Sequence, residues 1–141
     1  MDVVKQFIAT RAMIEHKGKV LVIRESNKYA DGTHEGQYDL IGGRLGMGEE
    51  IHSALLREVL EESGLHVTIG EPFTVTEWRP VVRGEQWQII GIIFTAQADS
   101  NQVVLSADHD HYKWIDPSNY VHENLIDSYY EVFEKYLSRK H

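Results

Sequence analysis

The sequence predicts an α/β fold in which helices sandwich a mixed sheet. Three observations point there. Extended and helical segments alternate along the chain, about six strand-length runs accompany two substantial amphipathic helices, and no repeat, low-complexity stretch or linker divides them. The 141 residues fit one domain, residues 1–141, because domains typically run to roughly 100–200 residues and a chain of this size can build a core without a staple. A composition of 42% apolar and 26% charged residues is ordinary for a globular protein and argues against disorder.

Each element has a local reason. Phe7–Glu15 and Val20–Arg24 read as a hairpin around Lys17-Gly18-Lys19. A polar loop follows from Glu25 to Gly36, with Asp31-Gly32 as its turn signal. Tyr38–Ile41 is a short strand that runs into Gly42-Gly43. Ile51–Glu62 is a helix that Gly64 terminates. Val67–Trp78 is extended and bends near Gly70-Glu71-Pro72. Trp87–Ala98 is a long apolar strand, Tyr112–Ile115 a short one, and Pro117 opens a turn. Asn124–Leu137 is an amphipathic helix with Leu125, Tyr129, Val132, Phe133 and Tyr136 along one side.

Charge and composition narrow the function. Fourteen basic against 22 acidic residues give a net charge of −8, the opposite of the basic stripe by which nucleic-acid binders neutralise phosphates. No nucleic-acid partner is therefore expected. Small phosphorylated substrates stay open, provided a metal reverses the sign locally. No apolar run approaches the roughly 18 residues of a membrane span, and Met1–Gln6 lacks a basic-then-apolar signal pattern. The expectation is a soluble, cytoplasmic protein without a membrane partner. The absence of cysteine removes disulfides, thiolate zinc sites and cysteine nucleophiles together.

The informative stretch is Gly43–Leu65. With Ile51 at zero and about 100° per residue, Leu55 and Val59 fall at about 40° and 80°, a core stripe. Glu58 falls near 340°, Glu61 near 280° and Glu62 near 20°, along the edge of that stripe rather than opposite it. Acids spaced i, i+3 and i+4 repel one another, and they lie toward the helix C-terminus, where the macrodipole disfavours negative charge. A solvated acidic face is the plain alternative. A hard divalent cation is the functional one, because Mg²⁺ and Mn²⁺ prefer carboxylate oxygens. The helix is preceded by Ile41-Gly42-Gly43-Arg44-Leu45-Gly46-Met47-Gly48, whose glycines let backbone approach a ligand closely. Its carbonyls could ligate metal and its amides could meet phosphate.

Gly43, five residues, Glu49, seven residues, then Arg57-Glu58-Val59-Leu60-Glu61-Glu62-Ser63-Gly64-Leu65 resembles the Nudix box of the MutT-related Nudix hydrolases. All fixed positions agree, and the flanking pattern is similar from about Phe7 to the last helix. The resemblance implies a Nudix-type α/β/α sandwich and a metal-dependent pyrophosphohydrolase that cleaves a diphosphate linkage in a nucleoside diphosphate derivative. By position, Glu58, Glu61 and Glu62 would hold Mg²⁺ or Mn²⁺, with the carbonyl of Gly42 as a further ligand. Glu49 and Arg57 would be the supporting pair, and Gly64 would end the helix. Glu61 or Glu62 is the first choice for general base. Some relatives use an acid in a later loop, and Asp108 and His109 stand six and five residues before Trp114 at such a place. The alternating Asp and His of residues 108–111 also fits a transition-metal cluster.

Substrate signals are thinner. Pro80 lies fifteen residues after Leu65, where ADP-ribose-cleaving relatives often carry proline. Trp78, Arg79 and Arg83 could stack on a base or hold a phosphate, or be strand packing and surface charge. Asn124 either reads a base, as in some nucleotide-cleaning relatives, or caps the last helix. Tyr129 and Tyr130 read as core and surface, and the Glu25–Gly36 loop borders the pocket. The candidate substrates are (d)NTPs, including oxidised ones, and ADP-ribose-like nucleotides. The alternatives are an RNA 5′-end pyrophosphohydrolase, a non-catalytic nucleotide-sensing module on the same fold, and an acidic interaction domain. The run Ile89–Phe94 could serve a core or a homodimer interface.

Overall fold

A computed structural model describes residues 3–28 and 34–139, so the Asp31-Gly32 turn lies outside the described residues. The strands are β1 (Val4–His16), β2 (Lys19–Glu25), β3 (Tyr38–Asp39), β4 (Ile41–Arg44), β5 (Val67–Trp78), β6 (Val81–Val82), β7 (Glu85–Ala98) and β8 (His109–Ile115). The helices are α1 (Ile51–Ser63) and α2 (Ser128–Ser138), and Pro117–His122 forms a 3₁₀ turn. The strands form one sheet in the order β3-β2-β1-β7-β5, with β4 also on β1, β6 on β7 and β8 on β2. It is mixed because β1 and β7 run parallel, from Val4 beside Gln86 to Glu15 beside Gln97, while their other partners run antiparallel.

Both faces of the sheet are covered, which makes the α/β/α sandwich. Successive side chains in a strand point to opposite faces, and here both sets are apolar. Ala12, Ile14, Leu21 and Ile23 pack with Leu55 and Val59 of α1, while Met13, Val20 and Val22 pack with Tyr129, Val132 and Phe133 of α2. Glu50 caps α1 by accepting from the Ser53 amide at 2.6 Å. Gly64 ends it at φ +73°, its N–H donating to the Leu60 carbonyl at 2.8 Å. None of the helices among the described residues is long and apolar enough to cross a membrane.

Several boundaries differ from expectation, and long-range pairing accounts for the start of the last helix and for the division of the Tyr38–Ile41 strand. The last helix starts at Ser128, not Asn124. The backbone before it is committed to β3 instead, Tyr38 N donating to Asn124 O at 2.8 Å and Ile126 N to Tyr38 O at 3.0 Å. Asn124 is therefore not a helix cap. The expected strand Tyr38–Ile41 divides, Tyr38–Asp39 pairing with β2 and Ile41–Arg44 with β1, so Gly42 and Gly43 lie within β4. Strand β8 begins at His109, which takes that residue out of the loop. A short hairpin, β6–β7, turns at Arg83-Gly84, both with positive φ.

Candidate active site

The glycines of β4 bring backbone against the acids of α1. A methyl group at Gly43 would lie 2.9 Å from the Glu58 carboxylate, so the strand touches that side chain directly. Glu58 and Glu62 are largely buried, at 17% and 14% side-chain exposure, whereas Glu61 is 56% exposed. The helical wheel anticipates this order. Arg57 gathers the acids from outside. Its Nη2 donates to Glu49 Oε2 at 3.0 Å, and its Nη1 lies 3.2 Å from Glu61 Oε2 and 3.3 Å from Glu58 Oε1. Glu49 Oε1 in turn accepts from the Gly46 amide at 2.7 Å. That bond, with Arg57, holds the Glu49 carboxyl below its ordinary pKa and ties the loop to the helix.

The inner two acids have opposite electrostatics. Burial pushes the Glu58 carboxyl up, and the charges of Glu62 and Glu61 add to that against the pull of Arg57. Burial acts the same way on Glu62, but His109 and Ser106 outweigh it and leave that carboxyl low. His109 Nδ1 lies 2.9 Å from Glu62 Oε2, and Ser106 Oγ donates to the same oxygen at 3.2 Å. Arg11, on β1, is near enough to both glutamates to favour their charged forms, and its Nη1 donates to the carbonyls of Leu40 at 3.1 Å and Gly42 at 3.3 Å.

These residues suit a hard divalent cation. The donors are carboxylate and carbonyl oxygens, two of the acids are withdrawn from water, and Glu58 carries an uncompensated charge cost. Among the described residues no three His, Asp or Glu stand in a ready-made metal cluster. Arg57 lies against Glu49, Glu58 and Glu61, where its charge damps their repulsion, and His109 lies against Glu62.

The structure separates the remaining expected residues. The Asp–His run does not form a transition-metal cluster. His109 turns to Glu62, Asp110 to Arg24 at 2.7 Å and His111 to the Tyr38 hydroxyl at 2.9 Å, and the register of β8 on β2 shifts between Arg24 and Glu25, where His111 and His109 pair. Asp108 accepts from the Ser26 amide through its backbone carbonyl at 2.9 Å. Arg79 pairs with Glu77 at 2.8 Å on the surface. Asn124 donates to the Gly36 carbonyl at 3.4 Å. Trp78 does reach a cleft beside the acids, which Arg11, Asp39, Gly43, Arg44, Pro80, Trp87 and Tyr129 also line. There Arg44 lies over Phe7 and Trp87, 4.5 Å and 4.7 Å from their ring centroids. Of these, Arg11, Asp39 and Arg44 go unmarked in the sequence reading. Their only sign is a charged residue inside or ending a strand that is otherwise mostly apolar.

A sheet between two helices, with helix-borne carboxylates pressed on a glycine strand, supplies the oxygen donors that metal-assisted hydrolysis draws on. The NUDIX domain family matches residues 6–136, and the chain belongs to it. Similar proteins include nucleoside triphosphatases NudI of Escherichia coli (strain SE11) and Shigella flexneri, each 29% identical, with 80% of this chain and 84% of the relative covered. In structure it is similar to a MutT protein from Methanosarcina mazei Go1, with TM-score 0.81, 25% identity and coverage of 96% of this chain and 97% of the other. It also shares its fold with the E. coli ORF135 protein, at TM-score 0.70, 21% identity and coverage of 96% and 91%. The intact box on this fold makes the protein a Nudix-type pyrophosphohydrolase.

Proposed function

We propose that this protein hydrolyses a diphosphate linkage in a small nucleotide, by water attack at phosphorus, with Mg²⁺ or Mn²⁺ as cofactor. The observation that carries this is the pair of largely buried carboxylates, Glu58 and Glu62, against the Gly43 backbone. Glu58, Glu61, Glu62 and the Gly42 carbonyl would hold the cation. When bound, it supplies neutralisation of phosphate charge and a lowered pKa for water. Arg57 and Glu49 fix the helix against its loop, so the carboxylates keep their spacing. The proton released by water passes to a carboxylate of the same helix. Glu61 and Glu62 are the sequence's choices for that base; Glu61 pairs with Arg57, and Glu62 lies against His109 Nδ1 at 2.9 Å. Glu58, whose proton affinity the protein raises, joins them on physical grounds.

The nucleoside triphosphatase relatives favour a (d)NTP over an ADP-ribose-like substrate. Free nucleotides suit a net charge of −8, since a nucleic acid backbone is bound through a basic stripe. The test is turnover of canonical and oxidised dNTPs, ADP-ribose, sugar nucleotides and dinucleoside polyphosphates in Mg²⁺, Mn²⁺ or EDTA. Hydrolysis of one class, abolished by EDTA and lowered about 100-fold or more by Glu62→Gln with an unchanged circular dichroism spectrum, is expected. Undiminished turnover by that variant overturns the reading.

A further inference from the structure

We propose that Ser106 and His109 are positioning residues for the cation site: together they hold one oxygen of Glu62, so that the other oxygen meets the metal. This rests on the metal-dependent reading above and deepens it.

Among the described residues, every hydrogen-bond and ion-pair contact of the Glu62 side chain falls on one atom. Ser106 Oγ donates to Glu62 Oε2 at 3.2 Å, and His109 Nδ1 lies 2.9 Å from the same oxygen. Two lone pairs at that separation repel, so Nδ1 carries the ring hydrogen. Oε1 is the oxygen left over. The contact is sheltered, at 8% side-chain exposure for His109 and 14% for Glu62, so water competes little for it. Glu61 on the same helix is held differently. It is 56% exposed, and Arg57 Nη1 spreads over both its oxygens, at 3.4 Å and 3.2 Å, singling out neither.

Local structure delivers the two residues as a unit. His109 N donates to the Ser106 carbonyl at 3.3 Å, so a tight turn brings both side chains to α1 together. Strand β8 opens with an irregularity. Arg24 pairs with His111 and Glu25 with His109, which leaves Asp110 as an extra residue. Regular alternation would put His109 and His111 on one face of the sheet. Instead His111 meets the Tyr38 hydroxyl, within the core that α2 covers, and His109 meets α1. An extra residue of this kind re-aims a side chain, and such bulges are frequent beside active sites. Ser106 reaches Glu62 across 44 positions of sequence, so the carboxylate is fixed by the sheet and not by its own helix. A glutamate otherwise loses much rotamer freedom when it is ordered. One already held by a single oxygen needs little reordering to ligate, and partners that orient a ligating carboxylate matter for metal affinity.

The test measures Mn²⁺ binding to the nucleotide-free protein by calorimetry, with thermal melts in EDTA beside it. His109→Ala should raise the Mn²⁺ dissociation constant by roughly 10–100-fold, the usual effect of removing a partner that orients a ligand. Ser106→Ala deletes one hydroxyl and should raise it by about threefold or more. His109→Asn keeps an N–H donor near the place of Nδ1 and should recover most of the affinity. In a Glu62→Gln background the carboxylate that His109 holds is gone, so adding His109→Ala should change affinity by about twofold or less. A purely structural histidine gives another pattern, a lowered melting temperature in EDTA with wild-type Mn²⁺ affinity, and that result overturns the proposal. So does a loss from His109→Ala that persists at full size in Glu62→Gln. If His109→Ala does not fold, Ser106→Ala decides, and unchanged Mn²⁺ affinity in that variant overturns the proposal. Wild type that binds no Mn²⁺ sinks the metal reading itself, whereas wild-type binding that none of these substitutions at Ser106 and His109 disturbs sinks the positioning alone.

Discussion

A methyl group at Gly42 and one at Gly43 would do different damage, although the residues adjoin. At Gly42, φ is +155° and a Cβ would collide with the Thr10 carbonyl oxygen and lie 2.8 Å from Arg11 Cα. Backbone of a buried strand cannot step aside, so Gly42→Ala should cost about 3 kcal/mol or more in a urea melt. At Gly43 the nearest atoms are the Glu58 carboxylate at 2.9 Å, the end of a side chain that can swing. Gly43→Ala should fold with nearly native stability yet lose about 100-fold in kcat, since small misplacements of reacting groups are expensive. Full activity in Gly43→Ala would show that the contact with Glu58 is incidental. The box was legible at this scale because acids along an apolar stripe break the expected pattern. Asp39 and Tyr129 were not, since only the fold shows that a strand carboxylate and a helix phenol share a cleft.

At the scale of elements, α1 was legible almost to the residue, because its period, its glycine stop and its first core residue are all local signals. The start of α2 was not. Nothing between Asn124 and Asp127 announces that this backbone bonds to Tyr38, more than eighty residues earlier. The N-terminus of α1 also carries a pH dependence. Glu50 accepts from the Ser53 amide and contacts His52, and these bonds hold its carboxyl down from 4.5 to about 2. A carboxyl depressed by folding contributes stability that is fully present above the unfolded value of 4.5 and is lost as pH falls through about 2. Glu50→Gln should therefore melt below wild type at pH 6, with the gap closing as pH falls from 4.5 toward 2. Thermal melts at half-unit pH steps decide this, and a gap that stays constant with pH removes the cap from the account.

At the scale of the whole molecule, the layering was legible and the strand order was not. Alternating apolar residues on β1 and β2 announce a sheet buried on both faces. The parallel pairing of β1 with β7 across some eighty residues of sequence has no local signal. The same double burial sets the balance between stability and function. Glu58 has its carboxyl raised by burial and by two neighbouring acids, so the folded state binds its proton more tightly than the unfolded chain does. Stability from that group is greatest at low pH and is lost as pH rises through its raised folded value. At neutral pH the charged Glu58 is a burden on the metal-free protein. Neutralising it with Glu58→Gln should raise the melting temperature in EDTA, as at other sites where function opposes stability. A divalent cation should reverse the order. Ligand at roughly one hundred times its dissociation constant stabilises the native state by about 2.7 kcal/mol, or about 10 °C in a domain of this size. Wild type should show that rise in Mn²⁺, and Glu58→Gln should show little of it, so that the two melting curves cross between the EDTA and metal conditions. Curves that shift together in both conditions would mean that Glu58 holds no cation and that its burial serves the fold alone.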